Sequence, residues 1–258
     1  MGRVLRWPLR LIPRDARLPV LQGPLRGMRW IAGAGNHSCW LGCYESNKQK
    51  ELQQRIRPGD VVYDLGAHAG YFSLVAAVLT GPEGRVISFE PLPQNVAFLR
   101  RHLDLNEIRN CTVVEAAVAS YEGTGRFHVV ADRSMGRLCL DENAPVSAHI
   151  ADIDTHIAVP VVTIDGMVAR GEIPPPVVMK CDVEGADLDA LRGAERVLRT
   201  YHPAILLDQD SDEGQAACCA FLSDLGYQIT PLDGLPLRDS MVTRSVADST
   251  EVLAIWGK

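Results

Sequence analysis

The sequence predicts an α/β domain: a doubly wound, mostly parallel sheet closed by an antiparallel C-terminal strand. Three observations carry that expectation. From residue 60 onward, short β-rich apolar runs alternate with stretches of helical periodicity. The runs are almost continuously hydrophobic, as strands covered on both faces are. Glycines gather where the first run gives way to the first helical stretch, in VVYDLGAHAGYF at 61–72. Strands and helices in alternation build a parallel sheet with helices on either face.

The elements follow in order. Residues 1–30 carry seven arginines (3, 6, 10, 14, 17, 26 and 29) against one acid, Asp15. Arg3, Arg6, Arg10, Arg14 and Arg17 are interleaved with Val4, Leu5, Trp7, Leu9, Leu11 and Ile12. Such a segment suits docking on a membrane surface or a partner. It equally suits an arm packed on an acidic body, and Pro8, Pro13 and Pro19 favour the arm by interrupting any continuous helix. Strands are expected at 61–65, 85–90, 111–118, 176–183 and 203–208. Helices are expected at 69–80, 93–106, 187–200 and 214–225; Val96, Leu99 and Leu103 show the three- and four-residue steps. Residues 120–162 break the alternation and predict an inserted hairpin or loop. GYQITPLDG and EVLAIWGK predict two antiparallel strands closing one sheet edge. The partition is one domain over 45–258, with that insertion, behind an N-terminal extension over 1–44.

With 258 residues, 47% of them hydrophobic, one large domain is favoured over two small ones. The net charge of −6 offers no general reason to expect nucleic acid as a partner. No apolar run approaches the roughly 18 residues of a membrane span, and no apolar core of a secretory signal follows the basic start. The seven cysteines contain no C-x-x-C pair and no zinc-finger spacing, which fits a reducing, cytoplasmic setting and no zinc site. A homodimer is an open possibility.

In open parallel sheets, ligands sit beyond the carboxyl ends of the strands. Glycine in the first strand-to-helix turn permits positive φ and close approach, and the following helix N-terminus favours an anionic group. Here the spacing is G-x-x-x-G, from Gly66 to Gly70, with His68 where a dinucleotide site has its middle glycine; no phosphate-loop lysine follows. Asp64 at the head of the turn would repel phosphate and suits a ligand bearing an ammonium as well as a carboxylate. Glu90, closing ISFE, is placed to accept hydrogen bonds from a ribose diol. A ribose with an amino-acid head group points to S-adenosyl-L-methionine. The small residues Ala116 and Ala117, with Glu115, suit the adenine ring.

The ordered set of motifs resembles the FkbM family of class I methyltransferases. The resemblance runs through Asp64, Gly66, Ala67, Gly70, Phe72 and Ser73, then Phe89-Glu90-Pro91. It continues through Lys180, Asp182, Val183, Glu184 and Gly185, and ends at Leu191 and Gly193. It covers residues 44 to about 210, and GCYE at 42–45 fits the lead-in. It departs at His68, where asparagine is usual, and at Asp187, where glutamate is. The resemblance implies a Rossmann-like methyltransferase fold and a small-molecule hydroxyl acceptor, such as a sugar or specialised metabolite. On the cofactor side it implies Tyr44, Asn95, Pro91 and Asp182 beside the turn residues.

Asp182, at the end of the fourth strand, reads as general base or orienter of the acceptor hydroxyl, or as a buried carboxylate paired with Lys180. Glu184 could share that role or cap the next helix. His68 could donate to the methionyl carboxylate or be a turn residue alone. Asp182 with Asp208 and Gln209 raises a magnesium site of catechol-methyltransferase type; a solvated strand end is the favoured reading there, with no metal. An NAD-dependent oxidoreductase would need the missing G-x-G-x-x-G. A non-catalytic binding protein would not need Lys180, Asp182 and Glu184 together. Residues 20–45 and 120–162 are expected to wall the acceptor pocket.

Overall fold

The computed structural model describes residues 12–129, 136–139, 155–208, 212–232 and 251–257. Residues 1–11 of the arginine-rich segment, with Arg3, Arg6 and Arg10, lie outside these residues, as does Gln209. The chain opens with an antiparallel pair, β1 (Arg17–Pro19) and β2 (Arg29–Ile31), then α1 (His37–Leu41) and α2 (Ser46–Arg55). The sequence reading placed no helix before residue 60. Helix α2 escapes it because the helix is polar, burying only Lys48, Gln49 and Leu52.

There follow β3 (Val61–Leu65), α3 (Tyr71–Thr80), β4 (Arg85–Phe89), α4 (Pro93–Leu105) and β5 (Cys111–Val114). The inserted region supplies β6 (Ala117–Val118), β7 (Gly123–Val129), β8 (Gly136–Cys139), β9 (Thr155–Val162) and α5 (Ile164–Ala169). The chain returns through β10 (Val178–Cys181), α6 (Asp187–Arg192), α7 (Glu195–Tyr201), β11 (Ala204–Asp208), α8 (Asp212–Asp224), β12 (Tyr227–Pro231) and β13 (Glu251–Trp256).

The main sheet runs β12-β13-β11-β10-β3-β4-β5. Strands β11, β10, β3, β4 and β5 are parallel, and β13 and β12 close the edge antiparallel. From β3 the chain winds outward to β5, then returns to β10 on the other side of β3. That reversal opens a crevice beyond the carboxyl ends of β3 and β10.

Two expected elements divide. The run 111–118 leaves the main sheet after Val114, and Ala117–Val118 pairs instead with β9 in a second sheet ordered β6-β9-β7-β8. The insertion is therefore a sheet with its own apolar face, built from Phe127, Val129, Leu138, Val159 and Val161 against Leu92 and Ala186. The helix expected over 187–200 breaks at Gly193, where a Cβ would lie 2.0 Å from the Ala119 carbonyl oxygen. Close contact with the second sheet decides that break, and local periodicity cannot show it.

The two-residue period of each strand sorts the core into two layers. Tyr63, Leu65, Met179, Cys181, Ile205 and Leu207 face α5–α8. Val62, Val178 and Leu206 face the layer of α2, α3 and the N-terminal segment. On that second face the register sets Asp64 directly between Ser88 and Lys180. A polar row thus crosses the middle of an apolar sheet, next to the crevice.

Candidate active site

A cavity of about 420 Å³ occupies the crevice, within the range that holds small-molecule ligands. Its walls come from the β3–α3 turn, the ends of β4 and β10, the second sheet and the N-terminal segment.

Gly66 and Gly70 have φ of 75° and 91°. The turn they make is pressed against its neighbours. A Cβ on Gly66 would fall 1.8 Å from the Asp182 carbonyl oxygen, and one on Gly70 would fall 2.2 Å from Leu99 Cδ1. Both glycines thus let the turn seat on β10 and α4; Gly66, Ala67 and His68 line the cavity and Gly70 does not. His68 has φ of 51°, in the left-handed region that asparagine and histidine enter more readily than most residues. Its backbone N–H donates to Glu90 Oε2 at 2.7 Å.

The Glu90 carboxylate is locked from the other side as well. Its Oε1 accepts from the Leu92 N–H at 3.0 Å and from Asn95 Nδ2 at 3.1 Å. Burial pushes its pKa up, and those three hydrogen bonds oppose the shift. The result is an acceptor group held in one orientation on the cavity wall, which suits a diol.

At the end of β10, Lys180 is buried. Its ammonium donates to the Gly66 carbonyl at 2.9 Å and lies 3.3 Å from Asp64 and 3.5 Å from Asp182. Asp64 accepts from Ser73 Oγ at 2.6 Å. It is 2% exposed and absent from the cavity wall, so the expected direct contact with a ligand ammonium gives way to a different role. Asp64 neutralises Lys180, which in turn holds the glycine turn. Past Asp182 the chain bends through Glu184 and Gly185, at φ of 51° and 80°. Asp187 fixes this bend by accepting from the Val183 N–H at 2.9 Å. Glutamate, the commoner residue there in the resembled family, is one methylene longer.

The Asp182 side chain is 29% exposed and lines the cavity with Glu184. Burial would raise its pKa, but Lys180 and then Lys48 outweigh burial and hold it below the usual carboxylate range. Lys48 is the residue sequence reasoning missed. Its side chain, 1% exposed, lies 2.6 Å from Asp208, 2.7 Å from Glu45, 3.6 Å from Glu251 and 3.9 Å from Asp182. Burial acts to lower its pKa and the carboxylates reverse this, so it stays charged. Glu45, Asp208 and Glu251 present carboxylate oxygens within 4.8 Å of one another, a spacing suited to a cation, and the Lys48 ammonium stands among them. The one sequence signal was its four-residue spacing from Leu52 on an otherwise polar helix.

Of the other expected residues, Tyr44, Phe72, Pro91, Asn95, Ala116 and Ala117 line the cavity. Glu115 does not; it is about half exposed and pairs with Arg100 at 2.5 Å. The N-terminal segment also reaches the wall through Arg14, Trp30, Asn36 and Cys39, and the second sheet through Phe127 and Leu138.

These residues fit an S-adenosylmethionine-type ligand on the structure's own terms. The fixed Glu90 carboxylate on the wall is an acceptor of the kind a diol needs, the small Ala116 and Ala117 border the same cavity, and the pressed glycine turn leads into the α3 N-terminus.

Comparison with known proteins agrees. The methyltransferase FkbM domain matches residues 64–229. A 31-O-demethyl-FK506 methyltransferase from Streptomyces tacrolimicus is 28% identical over 165 residues, 54% of this chain and 61% of that protein. A ribosomal RNA large subunit methyltransferase E from Nitratidesulfovibrio vulgaris is 30% identical over 169 residues, 60% of this chain and 77% of that protein. Among solved structures, a methyltransferase FkbM from Methylobacillus flagellatus superposes with a TM-score of 0.50 at 17% identity, covering 86% of this chain and 56% of that one. The chain spans about six tenths of the length of the FK506-modifying relative. With the domain match extending over more than half of its residues and the site motifs brought together at one crevice, the chain belongs to the FkbM methyltransferase family.

Proposed function

We propose that the protein transfers a methyl group from S-adenosyl-L-methionine to a hydroxyl of a small molecule. The carrying observation is Asp182, an ionised, partly exposed carboxylate on the same cavity wall as the locked Glu90. The bound sulfonium supplies an already activated methyl group, so the protein's work is positioning and proton removal. Glu90 accepts from the ribose hydroxyls, and Ala116 and Ala117 leave room for the adenine. Asp182 Oδ accepts the acceptor O–H and orients its lone pair. A carboxylate of low pKa is a weak base, but the acceptor oxygen becomes strongly acidic as its bond to carbon forms, and the proton passes to Asp182 at that stage.

A small-molecule acceptor is supported by the FK506-modifying relative and by a cavity walled by apolar side chains of the second sheet. The acidic balance of the chain weighs against RNA, which the ribosomal relative would otherwise suggest.

Two variants test the reading. Glu90→Ala should weaken S-adenosylhomocysteine binding by about 1.5–3 kcal/mol, the size of lost hydrogen bonds to a charged group. Asp182→Asn should keep that affinity and the melting temperature while lowering turnover by roughly 10²–10⁴ on a sugar and macrolide panel. Unchanged calorimetry for Glu90→Ala removes the ribose role, and transfer to RNA but not to the panel removes the small-molecule reading.

A further inference from the structure

Beside the cavity, the N-terminal segment and the first turn of α3 each bury a polar atom that the described residues leave unmet. Trp30 and Tyr71, 1% and 4% exposed, both line the cavity. The Trp30 indole N–H and the Tyr71 hydroxyl have no hydrogen-bond partner among the described residues. Gln49 lies near Tyr71, and one of its two amide N–H groups donates to the Tyr44 carbonyl. Packing holds both rings. Trp30 stacks on His102 with centroids 3.9 Å apart and meets Tyr71 edge-on at 5.7 Å. An unmet buried donor costs about 1–3 kcal/mol, and two beside one cavity require a reason.

Arg14 stands on the same wall, exposed, and no side-chain hydrogen bond or ion pair joins its guanidinium to the described residues. Its backbone is pinned: the Gly33 N–H donates to the Arg14 carbonyl at 2.6 Å, and a Cβ on Gly33 would lie 2.7 Å from Arg14 Cβ. Indole and guanidinium only donate, and the phenol donates readily. The complement of such a set is an oxygen-rich, anionic group.

We infer that Arg14, Trp30 and Tyr71 form a subsite for an oxyanion, typically a carboxylate, carried by the hydroxylated acceptor. The inference rests on the methyl-transfer reading above and deepens it by naming an acidic acceptor class. Arg14 and Trp30 lie before the 64–229 stretch that matches the family, whereas the cofactor-facing Gly66, Glu90 and Ala116 lie within it. That assigns Arg14 and Trp30 to the acceptor; Tyr71, which opens α3 inside the matched stretch, joins them through its edge-on contact with Trp30. The carboxylates of Glu90, Asp182 and Glu184 on the remaining wall repel an anion toward the donor end. The acceptor hydroxyl is thereby left to face Asp182.

The test uses the full chain saturated with S-adenosylhomocysteine and thermal-shift titrations of matched pairs: D-glucuronate against D-glucose, and 4-hydroxybenzoate against 4-hydroxybenzyl alcohol. The acid of at least one pair should half-saturate at a concentration about 10-fold or more below its neutral partner, the worth of one charge-assisted contact. Arg14→Gln and Tyr71→Phe should each raise that concentration by about 5–10-fold, with S-adenosylhomocysteine affinity unchanged. Arg14 is exposed, so its variant tests the subsite even if Trp30→Phe or Tyr71→Phe destabilises the fold. Equal binding of acid and neutral partner in both pairs, or an acid preference indifferent to Arg14→Gln, overturns the subsite. So does a loss of S-adenosylhomocysteine affinity in Tyr71→Phe, which would give the donors to the cofactor. Failure of the unmodified chain to bind S-adenosylhomocysteine strikes the methyl-transfer reading instead.

Discussion

Lys48 and Lys180 together decide the charge of Asp182. Each is almost fully buried, and each is held in its charged form by carboxylates that outweigh the effect of burial. The Asp182 pKa is depressed, so its ionised form persists as the pH falls, until the lowered pKa is passed. Removing one cation must raise that pKa. Lys48→Met is expected to shift the acid limb of kcat/KM toward higher pH while leaving S-adenosylhomocysteine affinity in place. A limb that stays where it was would mean that Lys48 serves stability alone. Lys180→Met is expected to do more harm, because it leaves the buried Asp64 without its cation. Breaking one side of a buried pair costs about 3–5 kcal/mol, which denaturant unfolding would read directly.

At the scale of elements, His102 ties the N-terminal segment to α4 and the glycine turn. Its Nε2 accepts from the Ile31 N–H at 3.0 Å, and its Nδ1–H donates to the Ala69 carbonyl at 2.8 Å. The bond from Ile31 requires the neutral ring, because a protonated Nε2 cannot accept; the bond to Ala69 forms in either state. Burial, the main cause, lowers its pKa from 6.5 to about 4. A depressed folded-state pKa means that the unfolded chain binds more protons between these two values. The stability His102 carries is therefore fully present above pH 6.5 and is lost as the pH falls toward 4. The limiting loss is about 3 kcal/mol. Unfolding measured across that window should show the decline, and His102→Leu should flatten it while costing stability at neutral pH. An unchanged acid slope in the variant would assign the decline to other groups.

At the scale of the molecule, the walls of the cavity come from different layers. The main sheet supplies Gly66, Glu90 and Asp182; the second sheet and the N-terminal segment supply Phe127, Leu138 and Trp30. Leu138→Ala, which hollows the second wall, is expected to change which acceptors are methylated and to leave S-adenosylhomocysteine affinity within about 3-fold, the scatter between independent sites. A parallel loss of cofactor affinity would show that the two walls act as one. The carboxylates near Asp208 also bear on the whole reaction. With Lys48 supplying their positive charge, turnover should be unaffected by EDTA; abolition by EDTA and rescue by magnesium would return Asp182 and Asp208 to a ligand role.

Much of this was legible in the chain because it rests on local or periodic signals. Alternating apolar runs and helical steps foretold the parallel sheet, since each pattern reflects the geometry of its own segment. The glycine turn, Glu90 and the β10 end were legible because ligands gather at strand ends in such sheets. Other features depend on contacts between segments far apart, which no local pattern records. The break at Gly193 comes from the Ala119 carbonyl, and the departure of 117–118 from the main sheet comes from pairing with β9. Asp64 faces Lys180 and not the ligand because parallel register sets the two side by side on one face. Lys48 reads as an ordinary surface lysine until folding carries α2 across the ends of β10, β11 and β13, where four carboxylates meet it. Strand and helix follow from short-range sterics and burial, whereas the charge and donor pattern of the site arises only where separate segments are brought together in a low-dielectric interior.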